Sequence, residues 1–313
     1  LLKKVLVNFF KVAAAGYLIY YLAYKFSWSE IPGILKKVDW VILLLAFIVY
    51  FLKYVFDATR WMIANKIAGI EIPFTELLKF KIIGPAFDFI TPIPQGEDVY
   101  KFLVLQRYAQ NISVSVGVPL FIRVSGLVSI AIFLPATLFY YRAYFKGDID
   151  FTIVYAIVGV AILALLAYYL FIVKKLSERI LSKALMLKDK ALSGLSTLAG
   201  KWNYLLAQIA LGVCSHLIYV LFVWLLVYGM GITFSYTNIL LTLPLIYFAA
   251  ILPSVAGGLG IKEGVVLWLL TFHGVDTPSA QAVALTHLLI LVFFVLIGFV
   301  LYLTIKDHII TEK

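Results

Sequence analysis

Six long apolar stretches dominate this chain and decide what it can fold into. They cover residues 5–24, 40–58, 112–141, 151–173, 203–228 and 279–305. About 20 apolar residues in helical form are long enough to cross a hydrocarbon layer of ~30 Å. Backbone groups inside that layer find no water, so a spanning segment has to pair them within itself, as a helix does. Each stretch therefore predicts a transmembrane helix. Composition agrees: of 313 residues, 64% are hydrophobic and 13% charged, against about 45–50% and about 25% in soluble domains. A soluble enzyme is excluded, and 24 Phe with 20 Tyr exclude a disordered chain. The first stretch is too long for a signal-peptide core and is followed by no small-x-small site, so it is expected to remain a span. The single cysteine, Cys214, excludes an internal disulfide and a Cys-based zinc site.

The net charge of +10 is an orientation signal. With the N-terminus inside, seventeen Lys and Arg fall in inside segments and five outside. Lys11, Lys53, Arg123 and Lys262 fall within apolar stretches. Basic residues concentrate on the cytoplasmic side of membrane proteins, so both termini are expected in the cytoplasm of a multi-pass plasma-membrane protein, and nucleic acid is not an expected partner. Residues 174–200 repeat Leu176, Ile180, Ala184, Leu187, Ala191, Leu195 and Leu198 between lysines. That spacing predicts an amphipathic helix on the inner leaflet.

Two further apolar stretches, 77–95 and 234–273, are broken by Pro and Gly. They share a spacing: Pro92, Gly96 and Lys101 match Pro253, Gly257 and Lys262 at an offset of 161, as do Phe87 with Phe248 and Ile90 with Ile251. Span, span, broken stretch, span occurs over 5–141 and again over 151–305, joined by a short outer loop at 142–150. Three crossings per unit place the second upside down. The expected fold is one all-α polytopic membrane domain over 1–313, an inverted repeat with two re-entrant hairpins and six spans. The count becomes eight where the hairpins cross, which 235–252 is long enough to do and 263–273 is not. Sites in such repeats lie where the broken helices meet near the midplane.

Charges in these segments are the candidate site. Arg123 lies in a long apolar run, where a charge costs roughly 2.5–3.5 kcal/mol on insertion scales and calls for a polar partner; the alternative is snorkelling to the interface. Lys262 and Glu263 follow Gly257, Gly258 and Gly260, glycines that let backbone approach a ligand, and free N–H groups at a following helix start attract an anion. Asp88, Glu97, Asp98 and Lys101 form the matching cluster in the first hairpin, with Lys81, Arg123 or Lys262 as expected partners of Asp88. Glu97 to Lys101 also fits a solvated cytoplasmic face. Asp57, Arg60 and Trp61 end the second span and fit an interfacial anchor. His287, near the middle of the last span, fits a bond to a neighbouring helix; the alternative is a relay of protons. The four histidines form no close ligand pair, so no metal or cofactor is expected.

Several of these motifs together resemble the lysylphosphatidylglycerol synthase transmembrane-region family of flippase-like membrane proteins. They are Arg60-Trp61, Pro92-x-x-x-Gly96-Glu97 with Lys101, Arg123, and above all Leu252-Pro253-x-x-x-Gly257-Gly258-x-Gly260-x-Lys262-Glu263. Two positions depart from the family pattern: Ile122 stands where an acidic residue often precedes the arginine, and Asp88 where Asn is common. The resemblance implies a helical bundle with re-entrant helices that moves a lipid with a charged or sugar-bearing head between leaflets. No soluble aminoacylating domain accompanies it here, so translocation is implied and synthase activity is not. The expected substrate is a phospholipid or polyprenyl-phosphate carrier, held by Arg123 and Lys262 through phosphate. Two alternatives stand: a non-catalytic membrane anchor for a separate glycosyltransferase or synthase, and an integral enzyme acting on a lipid phosphate through Glu263 or Asp88.

Overall fold

The computed structural model describes residues 29–36, 38–90, 96–109, 111–142, 202–251 and 261–311. The expected spans at 5–24 and 151–173, the amphipathic helix at 174–200 and Gly257, Gly258 and Gly260 lie outside the described residues. Every described element is an α-helix: α1 (Ile31–Leu35), α2 (Trp40–Ile67), α3 (Phe74–Ile90), α4 (Gly96–Ala109), α5 (Ile112–Ala131), α6 (Leu134–Arg142), α7 (Trp202–Gly229), α8 (Tyr236–Ile251), α9 (Ile261–Phe272) and α10 (Thr277–Thr311).

Local sequence sets the boundaries. Asp39 caps α2 by accepting the N–H groups of Val41 and Ile42, and Asn111 does the same for α5 at Ser113 and Val114. Such caps satisfy N–H groups that have no partner within the helix. Gly69 and Gly231, both at φ 74°, close α2 and α7 in the left-handed conformation that glycine tolerates. α5 and α6 divide at Ile132 and Phe133 because Pro135 donates no hydrogen bond to the preceding turn. Among the described residues, four helical segments are long and apolar enough to cross a membrane: Trp40–Ile67, Ile112–Arg142, Asn203–Gly229 and Thr277–Thr304. Their outward faces are apolar, as with Val41, Leu44, Leu45, Ile48 and Leu52 on α2 and Leu289, Phe293, Leu296, Val300 and Leu303 on α10. Stripes of that kind suit lipid and not water.

One expectation changes. The second span does not stop at residue 58 but continues to Ile67. The return arm of the first broken stretch is α4, a helix of mixed polarity. Pro92, Pro253 and Gly257, on which the matched spacing rests, lie outside the described residues.

The helices α2 and α7 form the most extensive contact, and they run antiparallel. Asp39 N–H donates to Gly229 at one end, Tyr50 packs on Phe222 farther in, the Ser215 hydroxyl donates to Asp57, and Gln208 donates to the Arg60 carbonyl. One end of the bundle gathers α1, the start of α2, the turns after α7 and α9, and Tyr140 of α6, whose hydroxyl bonds Asn238 and His273. The other end gathers Ile67, Ile70 and Ile72 after α2, Leu77 of α3 and Val104 of α4, packed against Val114, Leu205, Leu301 and Tyr302. The pair α3–α4 therefore starts and finishes at this second end, and α8–α9 starts and finishes at the first. Along α2, one apolar cluster holds Val38 to Tyr54 and another holds Trp61 to Ile67. Lys53, Asp57 and Arg60 mark the transition between them.

Candidate functional site

Three charged residues of α2, Lys53, Asp57 and Arg60, recur at steps of four and three and share one helix face. That face turns inward. Arg60 is 6% exposed and the Asp57 side chain 11%, so they are not the interfacial anchor that a span ending at residue 58 implied. Arg60 donates to the Ile122 carbonyl at 2.9 Å and to the Ser125 hydroxyl at 3.2 Å. Gly126 of α5 leaves the room this needs, since a Cβ there would sit 3.2 Å from the guanidinium.

From Asp57 a chain of alternating charges runs through the first hairpin. Lys53 Nζ lies 2.6 Å and Lys81 Nζ 3.5 Å from Asp57. Lys81 also reaches Glu97, which pairs with Lys101 at 2.8 Å. Lys101 is 3.3 Å from Asp98, and Asp98 pairs with Arg123 of α5. Gly84 lets α3 and α4 approach closely enough for this, because a Cβ there would meet the Glu97 side chain. Isolated charges at such depth cost several kcal/mol each, and alternation of sign is the arrangement that offsets the cost.

The expected partners are partly wrong. Asp88 pairs with none of the cations proposed for it but accepts the backbone N–H of Glu97 at 2.8 Å, and so caps α4 across the hairpin tip. Arg123 pairs with Asp98, not with Asp88, Glu97 or Glu263, and its side chain is 32% exposed. Lys101 is buried, so Glu97 to Lys101 is not a solvated face.

The second hairpin contributes a different constellation. Glu263 Oε1 lies 2.9 Å from His287 Nδ1, and His287 Nε2 lies 3.1 Å from the Tyr219 hydroxyl. All three residues are buried. The bond from His287 to a neighbouring helix is thus present, with Glu263 and Tyr219 as its partners. Lys262 is half-buried and, among the described residues, makes no hydrogen bond or ion pair. The charges acting on it are Lys53, Glu263, Asp88 and Glu97. Lys262 of the second hairpin is thus within electrostatic reach of carboxylates of the first, without a hydrogen bond to them. Tyr247 of α8 faces Asp57, Arg60 and Lys81 in the same way, and Tyr54 faces Glu97, Asp57 and Asp88. Of the sequence candidates, Asp88, Glu97 and Lys262 come together, Lys101 and Arg123 join them through shared ion pairs, and Glu263 is turned toward His287.

Sequence reasoning left Lys53, Asp57, Arg60 and Tyr219 out of the site and took Lys81 only as a partner for Asp88. The first three carried a signal, namely charges on one helix face within an apolar run.

These features define a multi-pass membrane protein with a charged, internally paired core between helical hairpins. The chain belongs to the lysylphosphatidylglycerol synthase TM region family, whose sequence model matches residues 8–298. That family ties it to lipid modification or transport in the membrane. Among curated proteins, no sequence matches this chain.

Proposed function

We propose that the protein moves a polar or anionic lipid between bilayer leaflets. In this reading α3–α4 and α8–α9 are re-entrant hairpins of an inverted repeat, each entering from its own side and meeting near the midplane. Both termini face the cytoplasm, and the protein works as a transporter in the plasma membrane without a catalytic residue. The observation that carries the reading is Lys262, a cation unpaired among the described residues and within electrostatic reach of Asp88 and Glu97 of the opposite hairpin. With Lys262, six cations (Lys53, Arg60, Lys81, Lys101, Arg123, Lys262) stand against five carboxylates (Asp57, Asp88, Glu97, Asp98, Glu263). The surplus is positive and suits a phosphate-bearing head. Such a core takes over the role of water for the head group, while acyl chains stay in lipid against the apolar outer faces.

The test is a proteoliposome assay with fluorescent anionic, zwitterionic and cationic lipids and membrane-impermeant quenching. Faster loss of inner-leaflet protection than in protein-free vesicles, greatest for anionic lipid, supports the reading. Equal rates with and without protein for every lipid overturn it.

A further inference from the structure

The two halves place a matched contact near the tip of each hairpin. The third residue of α4, Asp98, pairs with the twelfth residue of α5, Arg123. The third residue of α9, Glu263, pairs with the eleventh residue of α10, His287. Each contact ties a return helix to the long helix that follows it. The chemistry differs. Arginine keeps its charge at any pH a protein meets, whereas histidine changes charge between about pH 5 and 8.

We propose that Glu263, His287 and Tyr219 form a proton-binding site, and that proton uptake there strengthens the pull of Lys262 on an anionic head group. The inference rests on the translocation reading above and names the ion coupled to it. With His287 neutral, the hydrogen bonds set its tautomer. A carboxylate oxygen only accepts, so His287 Nδ1 carries the hydrogen donated to Glu263, and Nε2 accepts from the Tyr219 hydroxyl. A proton added at Nε2 makes the imidazolium, and the Tyr219 O–H turns away so that its oxygen accepts from Nε2. The triad then changes from one net negative charge to none. Glu263 is also the charge next to Lys262 and acts on it. Once His287 is cationic, that negative charge is offset, and the Lys262 ammonium acts more fully on the substrate.

Among the described residues, the charged neighbours from α9 are Glu263 and Lys262, and from α7 Tyr219, against which Tyr247 of α8 packs. On α2, Tyr50 and Tyr54 face α10 at Phe294, and Lys53 acts on Lys262. α3 meets α10 through the Ile82 and Ile83 backbone at Gly298, and α1 (Ile31–Leu35) carries no titratable side chain. His287 itself is 0% exposed, so a proton there is a bound species.

The experiment joins two measurements on the purified full chain. Nitrogen NMR of histidine-labelled protein in nanodiscs, with His287→Gln to assign the signal, should show His287 passing from the Nδ1–H tautomer to the imidazolium as the pH is lowered. A signal that stays in one form throughout overturns the proposal. In vesicles of anionic lipid, wild-type translocation should depend on pH across the interval of that change, and His287→Gln should lose that dependence. An unchanged pH profile in His287→Gln overturns the proposal. Where that variant fails to assemble, Tyr219→Phe must displace the profile along the pH axis, and an unmoved profile counts equally against it. Should the wild type move no lipid at any pH, the translocation reading falls, and the NMR titration alone decides the proton site.

Discussion

Asp57 is the residue whose removal should damage the fold most for its size. Its carboxylate lies 2.6 Å from Lys53, 3.5 Å from Lys81 and 3.9 Å from Arg60, and it accepts a hydrogen bond from Ser215 at 2.8 Å. In Asp57→Asn the amide oxygen keeps the bond from Ser215 but withdraws the negative charge from three cations. Lys81 retains Glu97 and Arg60 retains its bonds to Ile122 and Ser125, so Lys53 is the cation chiefly stranded. Breaking a buried pair from one side costs about 3–5 kcal/mol. The Lys53 side chain is 21% exposed, which points to the lower end, about 3 kcal/mol. At about 2–4 °C per kcal/mol for a chain approaching this size, the melting temperature in detergent should fall by roughly 6–12 °C. Glu76→Gln is the control. That pair with Lys79 is 2.7 Å long, but its side chains are 47% and 32% exposed, and such surface pairs are worth at most about 1 kcal/mol. Lys53→Met combined with Asp57→Asn should cost less than the sum of the single changes, because it removes the stranded charge. Equal melting of Asp57→Asn and Glu76→Gln, or strict additivity in the double variant, would refute the idea that the α2 charges form a buried, mutually dependent chain.

Other expectations follow from single contacts. A Cβ on Gly298 would lie 2.5 Å from the Ile82 carbonyl oxygen, so Gly298→Ala should force α10 from α3 and lower stability by about 1–3 kcal/mol; an unchanged melting temperature would count against the close crossing. Asp88→Ala removes the cap on Glu97 and should cost about 0.5–2 kcal/mol and slow lipid movement, whereas Asp88→Asn, still able to cap, should stay near wild type in stability; both are read by melting and transport together. Asp276, just before α10, accepts the N–H of Ser279, and that bond holds its carboxyl below the usual carboxylate range. A depressed folded value means that its contribution is present above the ordinary range and is lost as pH falls through the folded value. Amide exchange at Ser279 should therefore quicken in acid, and Asp276→Asn should remove that pH dependence.

The described spans were legible because long apolar runs have few other solutions, and the hairpins were legible because Pro and Gly interrupt such runs. That the hairpins start from opposite ends followed from the odd number of crossings per repeat. Two features were not legible for a common reason. An apolar window closes at the first charges, so it ended α2 near residue 58 and the first hairpin at residue 95. Yet Asp57, Arg60, Glu97 and Lys101 neutralise one another across helices, and a paired charge need not mark the edge of the membrane.

Translocation of an anionic fluorescent lipid by Lys262→Gln, set against the wild type in the same vesicles, is the most direct measurement of whether the meeting point of the hairpins handles the head group. The substitution keeps length and polarity and leaves every ion pair of the α2–α3–α4–α5 chain intact. The expected result is normal expression and melting with anionic-lipid movement reduced to the protein-free rate. Movement at the wild-type rate by a folded Lys262→Gln protein would contradict a head-group site at this position.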